Sequence, residues 1–201
     1  SIYAAGVWMG GIDRSGGIKL SAVTYRSQGY DYFTGPLDIN GSAEYSSCSQ
    51  WDKIFSVKGQ NIFQHVRNFK EATAQNQSLK CEDVPTDVLF WPAQGNPYFK
   101  DEFGWSLPDQ PLAGYFDMDS DGQYDPCKGD YPVISDEKCP DFLSKIPAEI
   151  NFFIFNDNGG TQTLSGPASM QMEFQVNAYA YSTSDELNDM TFYQYKLINK
   201  A

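Results

Sequence analysis

Between Met170 and Tyr181 apolar and polar side chains alternate over twelve residues. Only an extended strand keeps every second side chain on one side, so Met170, Met172, Phe174, Val176 and Ala178 share a face. Gln171, Glu173, Gln175 and Asn177 share the other. The same period recurs over Phe192–Ile198, and the apolar run Asn151–Phe155 ends in the turn residues Asn156-Asp157-Asn158-Gly159-Gly160. Near the start, Tyr3–Ile12 and the alternating Ile18–Val23 flank the turn Asp13–Gly17, which predicts a hairpin. Trp51–Val57 reads as another short strand. One wet and one buried face along the late strands predicts an antiparallel β-sandwich of jelly-roll type.

Helix signals are sparse. From Gln60 to Glu71 the apolar residues Ile62, Phe63, Val66 and Phe69 recur at helical spacing, which predicts one short helix. Pro92, Pro97, Pro108 and Pro111 break up the stretch after Trp91, and 17 Gly with 11 Pro favour short strands joined by long loops. The 201 residues are expected to form one mainly β domain over 1–201. It would carry a helix-containing insertion at 46–90 and an acidic, cysteine-bearing loop at 111–148. A strand that runs to the end of the sequence suggests a piece of a larger chain.

The 26 acidic and 14 basic residues give a net charge of −12. Such a surface repels phosphates, which argues against nucleic acid as a partner and suits cations. No apolar run is long enough to span a bilayer, and residues 1–6 lack the basic and apolar regions of a signal peptide.

The most specific motif is Asp117-Met118-Asp119-Ser120-Asp121-Gly122-Gln123-Tyr124-Asp125. Acids at positions 1, 3 and 5, a Gly at 6, a backbone carbonyl at 7 and an acid at 9 match the oxygen-rich loops that wrap calcium. The predicted ligands are therefore Asp117, Asp119, Asp121, Gln123 and Asp125. Position 12 is Lys128, which cannot bind a cation, so Asp130 is the nearest residue to close the shell. Pro126 excludes a following helix of EF-hand type. The loop resembles an EF-hand or thrombospondin-type-3 repeat in its ligands alone, and a stabilising calcium ion is the expected cofactor.

Cys48, Cys81, Cys127 and Cys139 contain no CxxC pair, and His65 is the one histidine, so structural zinc is disfavoured. Four cysteines allow three disulfide connectivities. Proximity in sequence favours Cys127–Cys139, which leaves Cys48–Cys81; bridges of either kind imply an oxidising compartment. His65 beside the apolar helix face reads as a surface or half-buried residue, and a single His offers little to a catalytic triad. No catalytic constellation is recognisable. Trp91 and Trp105, together with the aromatic stretch Tyr30–Phe33, are the candidates for stacking on sugar rings.

Several strings together are similar to a known family. They are Ser1–Asp13, Thr24-Tyr25-Arg26, Gly35-Pro36-Leu37-Asp38, Trp51–Phe55, Trp91-Pro92-Ala93, Asp117–Asp125 with Gly129-Asp130-Tyr131-Pro132, and Phe192–Asn199. Their order resembles a region of very large secreted Bacteroidota proteins that carry sorting domains for the type IX secretion system. The resemblance implies export to the cell surface or medium. Members of that family commonly have another acid or a Gly at the place of Cys127-Lys128, which marks a Cys127–Cys139 bridge as a local addition. The expected function is a non-catalytic structural or adhesive module of a large extracellular protein or appendage. Its partners would be other domains or copies of that protein, or a target cell surface or glycan. The alternative is a carbohydrate-binding or accessory domain of a secreted polysaccharide-degrading enzyme.

Overall fold

The computed structural model describes residues 3–26, 28–134 and 146–201. Strands β1 (Met9–Ile12) and β2 (Ile18–Ser21) pair antiparallel, with Met9 opposite Ser21 and Ile12 opposite Ile18. The Asp13 carboxylate closes their turn by accepting from the N–H groups of Ser15 and Gly17, both at 2.8 Å. Strand β3 (Phe33–Thr34), helix α1 (Tyr45–Trp51), strand β4 (Phe55–Lys58) and helix α2 (Gly59–Ala74) follow. Then come the short helices α3 (Thr86–Leu89) and α4 (Phe99–Phe103) and the two-residue strands β5 (Tyr115–Phe116) and β6 (Tyr131–Pro132). The long strands β7 (Glu149–Asn156), β8 (Met172–Ala180) and β9 (Thr191–Asn199) complete the order.

Among the described residues strand outnumbers helix, and the sheets are antiparallel. The main sheet has the order β3-β7-β8-β9, with β4 also paired to β7. Phe55 lies opposite Phe152 and Lys58 opposite Glu149, while Phe33 lies opposite Asn156. Where one helix was expected there are four α-helices and three one-turn helices among the described residues, and α2 is longer than its apolar stripe. Trp51, read as the start of a strand, instead ends α1.

The expected wet face of β8 is also corrected. Glu173, Gln175 and Asn177 are buried like the apolar residues between them. Each finds a polar partner: the N–H of Leu37 donates to Glu173 Oε2 at 2.8 Å, Gln175 Nε2 donates to Glu173 Oε1 at 2.9 Å, and Asn177 Nδ2 donates to the Ile134 carbonyl at 2.7 Å. Burial pushes the Glu173 carboxyl upward, and these donors only partly oppose it. Alternation identifies a strand, but a polar face reads as solvated unless its partners are known.

The chain divides into two compact units. One comprises the residues up to Lys53, with Phe153–Val176 and Tyr195–Ala201. Its core holds Leu37, Trp51, Ile154, Phe174 and Val176, and Phe155 stacks on Phe174 at 4.6 Å. Two buried aspartates organise its loops. Asp31 accepts from the N–H groups of Ala22, Leu164 and Ser165. Asp157 accepts from Ser21 Oγ and from the N–H groups of Met170 and Met172. The other unit comprises Ile54–Phe152 and Asn177–Gln194. It buries Phe55, Val57, Ile62, Val66, Val88, Trp91, Phe99, Tyr124, Ile150 and Phe152. The acidic loop belongs to this second unit. No helix among the described residues is long and apolar enough to cross a membrane.

Candidate metal centre

The loop starts as β5 ends and finishes as β6 begins, so the pairing of Phe116 with Tyr131 closes its two ends. Gly122 has φ +78°, the left-handed conformation expected at position 6. Between the ends, Tyr124 is fully buried and its hydroxyl donates to the Val88 carbonyl at 2.6 Å, pinning the loop to α3. Asp125 caps the one-turn helix Pro126–Lys128 by accepting from the Cys127 N–H at 3.0 Å, with Pro126 in the first position. At Gly129 φ is +106°, and a Cβ there would come within 2.6 Å of the Phe69 ring, so both torsion and space demand glycine.

Of the six predicted ligands, Asp117, Asp119 and Asp130 come together. Each offers one carboxylate oxygen, and these three atoms lie within 4.8 Å of one another. Oxygens that share a calcium ion at about 2.3–2.6 Å lie no more than about 5.2 Å apart, so this donor set fits such an ion. All three donors are hard oxygens, the chemistry that suits a hard divalent cation such as magnesium, calcium or manganese.

Asp130 is the anchor of the set. It is fully buried, and it accepts from the Met118 N–H at 2.7 Å and the Asp125 N–H at 2.8 Å. Burial pushes its carboxyl up to about 6, against those two donors, and the charges of Asp117 and Asp119 add to the rise. Asp117 accepts from the N–H groups of Asp121 and Gly122, which folds the loop around it.

Asp121 and Asp125 turn toward Lys128 instead. The second oxygen of Asp121 accepts from Lys128 Nζ at 2.9 Å, and its first accepts from the Gln123 N–H. The same ammonium lies 3.9 Å from Asp125 Oδ2. Hydrogen bonding and charge from Lys128 hold the Asp121 carboxyl below the usual range. The Gln123 side-chain amide donates to the Gly122 carbonyl.

His65 corrects the sequence reading most. It is fully buried on α2, and its Nε2 lies 2.9 Å from the backbone carbonyl of Asp130. Burial depresses its basicity, so at neutral pH the ring is uncharged and Nε2 carries the proton donated to that carbonyl. A histidine that reads as peripheral therefore holds the most buried acid of the site in place. Its spacing on the helix, one residue before the buried Val66, was the available signal.

The cysteines also pair differently from either expected bridge. Cys81 is bonded to Cys127, with Cα atoms 5.1 Å apart and a sequence separation of 46. Cys48 is a free thiol among the described residues, and Cys139 lies outside them. Folding brings the one-turn helices Cys81–Asp83 and Pro126–Lys128 together, so distance in space overrides proximity in sequence.

Trp91 is likewise not a sugar platform. It is 1% exposed, its indole N–H donates to the Gly114 carbonyl at 3.0 Å, and its ring packs on Phe152. Trp105 packs edge-on against Phe99 with ring centroids 4.8 Å apart. Trp91→Phe removes one of the two donors to the Gly114 carbonyl, the Val133 N–H remaining at 3.1 Å, and leaves a gap where the larger ring lay, so it is expected to cost about 1–2 kcal/mol in urea unfolding. A variant as stable as the parent would show that the indole N–H does not matter.

Comparison with protein-family models, curated proteins and solved structures returns no match for this chain.

Proposed function

We propose that this chain is a calcium-stabilised, non-catalytic structural or adhesive module of a large extracellular or cell-surface protein. The observation that carries the reading is the convergence of Asp117, Asp119 and Asp130 on one point, in a loop closed by the Phe116–Tyr131 pairing and anchored by the buried Tyr124 and Asp130. Three carboxylates so close repel one another, and a divalent cation relieves that repulsion. The disulfide beside the loop agrees with an oxidising, extracellular setting. The acidic surface and the antiparallel body agree with a sandwich-like module exported by the type IX route that the sequence resembles. Such a module would work by holding its shape and meeting sister domains or a target surface.

Calcium that binds only the folded chain adds RT ln(1 + [L]/Kd), about 2.7 kcal/mol at one hundred times Kd. For a chain of 201 residues this raises the melting temperature by roughly 5–10 °C. Thermal unfolding in millimolar calcium and then in EGTA, without reductant, reads the shift directly. Asp117→Asn combined with Asp119→Asn should abolish it. Identical melting curves for the parent chain in calcium and EGTA would sink the metal reading. Sedimentation velocity in calcium then tests assembly, where self-association or binding to a sister domain is the expected result.

A further inference from the structure

Lys128 occupies the twelfth position of the acidic loop, where an EF-hand loop places a bidentate Glu. A lysine there reads in sequence as a missing ligand. In the structure it is a resident cation. Its Nζ lies 2.9 Å from Asp121 Oδ2, 3.5 Å from Asp119 Oδ2 and 3.9 Å from Asp125 Oδ2. The acids of the loop thus fall into two sets. Asp117, Asp119 and Asp130 converge on one point, while Asp119, Asp121 and Asp125 surround the ammonium. Asp119 belongs to both.

We propose, resting on the calcium reading above, that Lys128 is a tethered counter-cation that competes with the metal for Asp119, Asp121 and Asp125 and so sets the affinity of the site. Without metal the ammonium offsets the repulsion among the outer acids and keeps the loop folded. When a divalent ion settles between Asp117, Asp119 and Asp130, it repels the ammonium and draws Asp119 away from it. The Lys128 side chain is 51% exposed and sits on a flexible stem, so it can swing into water at little cost. Asp121 and Asp125 are then released to complete an oxygen shell. The internal competitor holds the affinity below that of the same site without the lysine.

The test is calorimetric titration of the whole chain with calcium chloride, for the parent, Lys128→Gln and Lys128→Met, together with melting in EGTA. Removing one positive charge a few ångströms from the ion should tighten calcium binding on the order of tenfold. Both variants should also melt below the parent in EGTA, because the outer acids lose their neutralising partner. Lys128→Arg keeps the charge and should bind calcium as the parent does. If the parent binds calcium and the Gln and Met variants bind it equally or more weakly, the competitor role is overturned. If the parent binds no calcium, it is the metal reading itself that fails.

Discussion

Cys81→Ser combined with Cys127→Ser is expected to lower the unfolding free energy by about 4 kcal/mol, the chain-entropy value for a loop of this length. The bond joins residues 46 positions apart and closes a loop that includes all of α3, α4 and most of the acidic loop, most of it outside regular structure. Without it the unfolded ensemble regains the freedom of that long loop, while the folded state loses a tie between two one-turn helices. The metal centre should feel the loss as well. Cys127 donates its N–H to Asp125, one of the acids called on to complete the oxygen shell, so the variant should bind calcium more weakly than the parent. Urea unfolding of the double variant, beside Cys48→Ser as a control outside the bond, reads the effect. A midpoint equal to that of the control would mean that the bond contributes nothing to stability.

Asp31→Ala is expected to cost about 3 kcal/mol or more, through a different mechanism. Asp31 is fully buried and accepts from the N–H groups of Ala22 at 3.1 Å, Leu164 at 2.9 Å and Ser165 at 3.1 Å. Each of these donors loses its partner in the variant, and each unsatisfied buried donor costs about 1–3 kcal/mol unless water reaches it. Burial acts to raise the Asp31 carboxyl, but the Ser165, Leu164 and Ala22 donors outweigh it, and the group lies below its ordinary value of 3.8. The sign of the pH dependence follows. A depressed carboxyl stabilises the fold above its unfolded value, and that contribution is lost as the pH falls through the lower folded value. The difference between parent and variant should therefore stay constant from pH 7 to about pH 5 and shrink below pH 3.8. Urea midpoints across that range are the measurement, and a gap that widens in acid would contradict the assignment.

Both predictions concern groups whose importance is invisible along the chain. Asp31 sits in an aromatic stretch and looks like an ordinary loop acid. The residues it ties together, Ala22 and Leu164, are 142 positions apart in the chain. Cys81 and Cys127 each have a cysteine nearer in sequence than one another, Cys48 for the first and Cys139 for the second. The chain-entropy argument that favours short loops describes the cost of closing a bridge in an unfolded chain. It carries no information about which sulfur atoms the fold has already brought within reach.

The sequence by itself determined what depends on neighbours close along the chain. The hairpin around Asp13–Gly17, the long strands near 150, 175 and 195, and the helix over the 60s follow from periodicity and turn chemistry. Period is a local property of the backbone, so these elements could be read directly. The acidic loop was legible for the same reason, because alternate aspartates and a glycine at position 6 form a local pattern. Tertiary structure alone decided which acids converge and which are given to Lys128. It also decided that His65 holds Asp130, that Cys81 meets Cys127, that Trp91 fills a core, and that the polar side of β8 is buried. Most of these depend on a hydrogen bond or a covalent bond between residues far apart in sequence, and the Lys128 contacts, though short in sequence, depend on how the loop is folded. The free energy of burying a polar or charged group is set by the partner it meets, and only the fold supplies that partner.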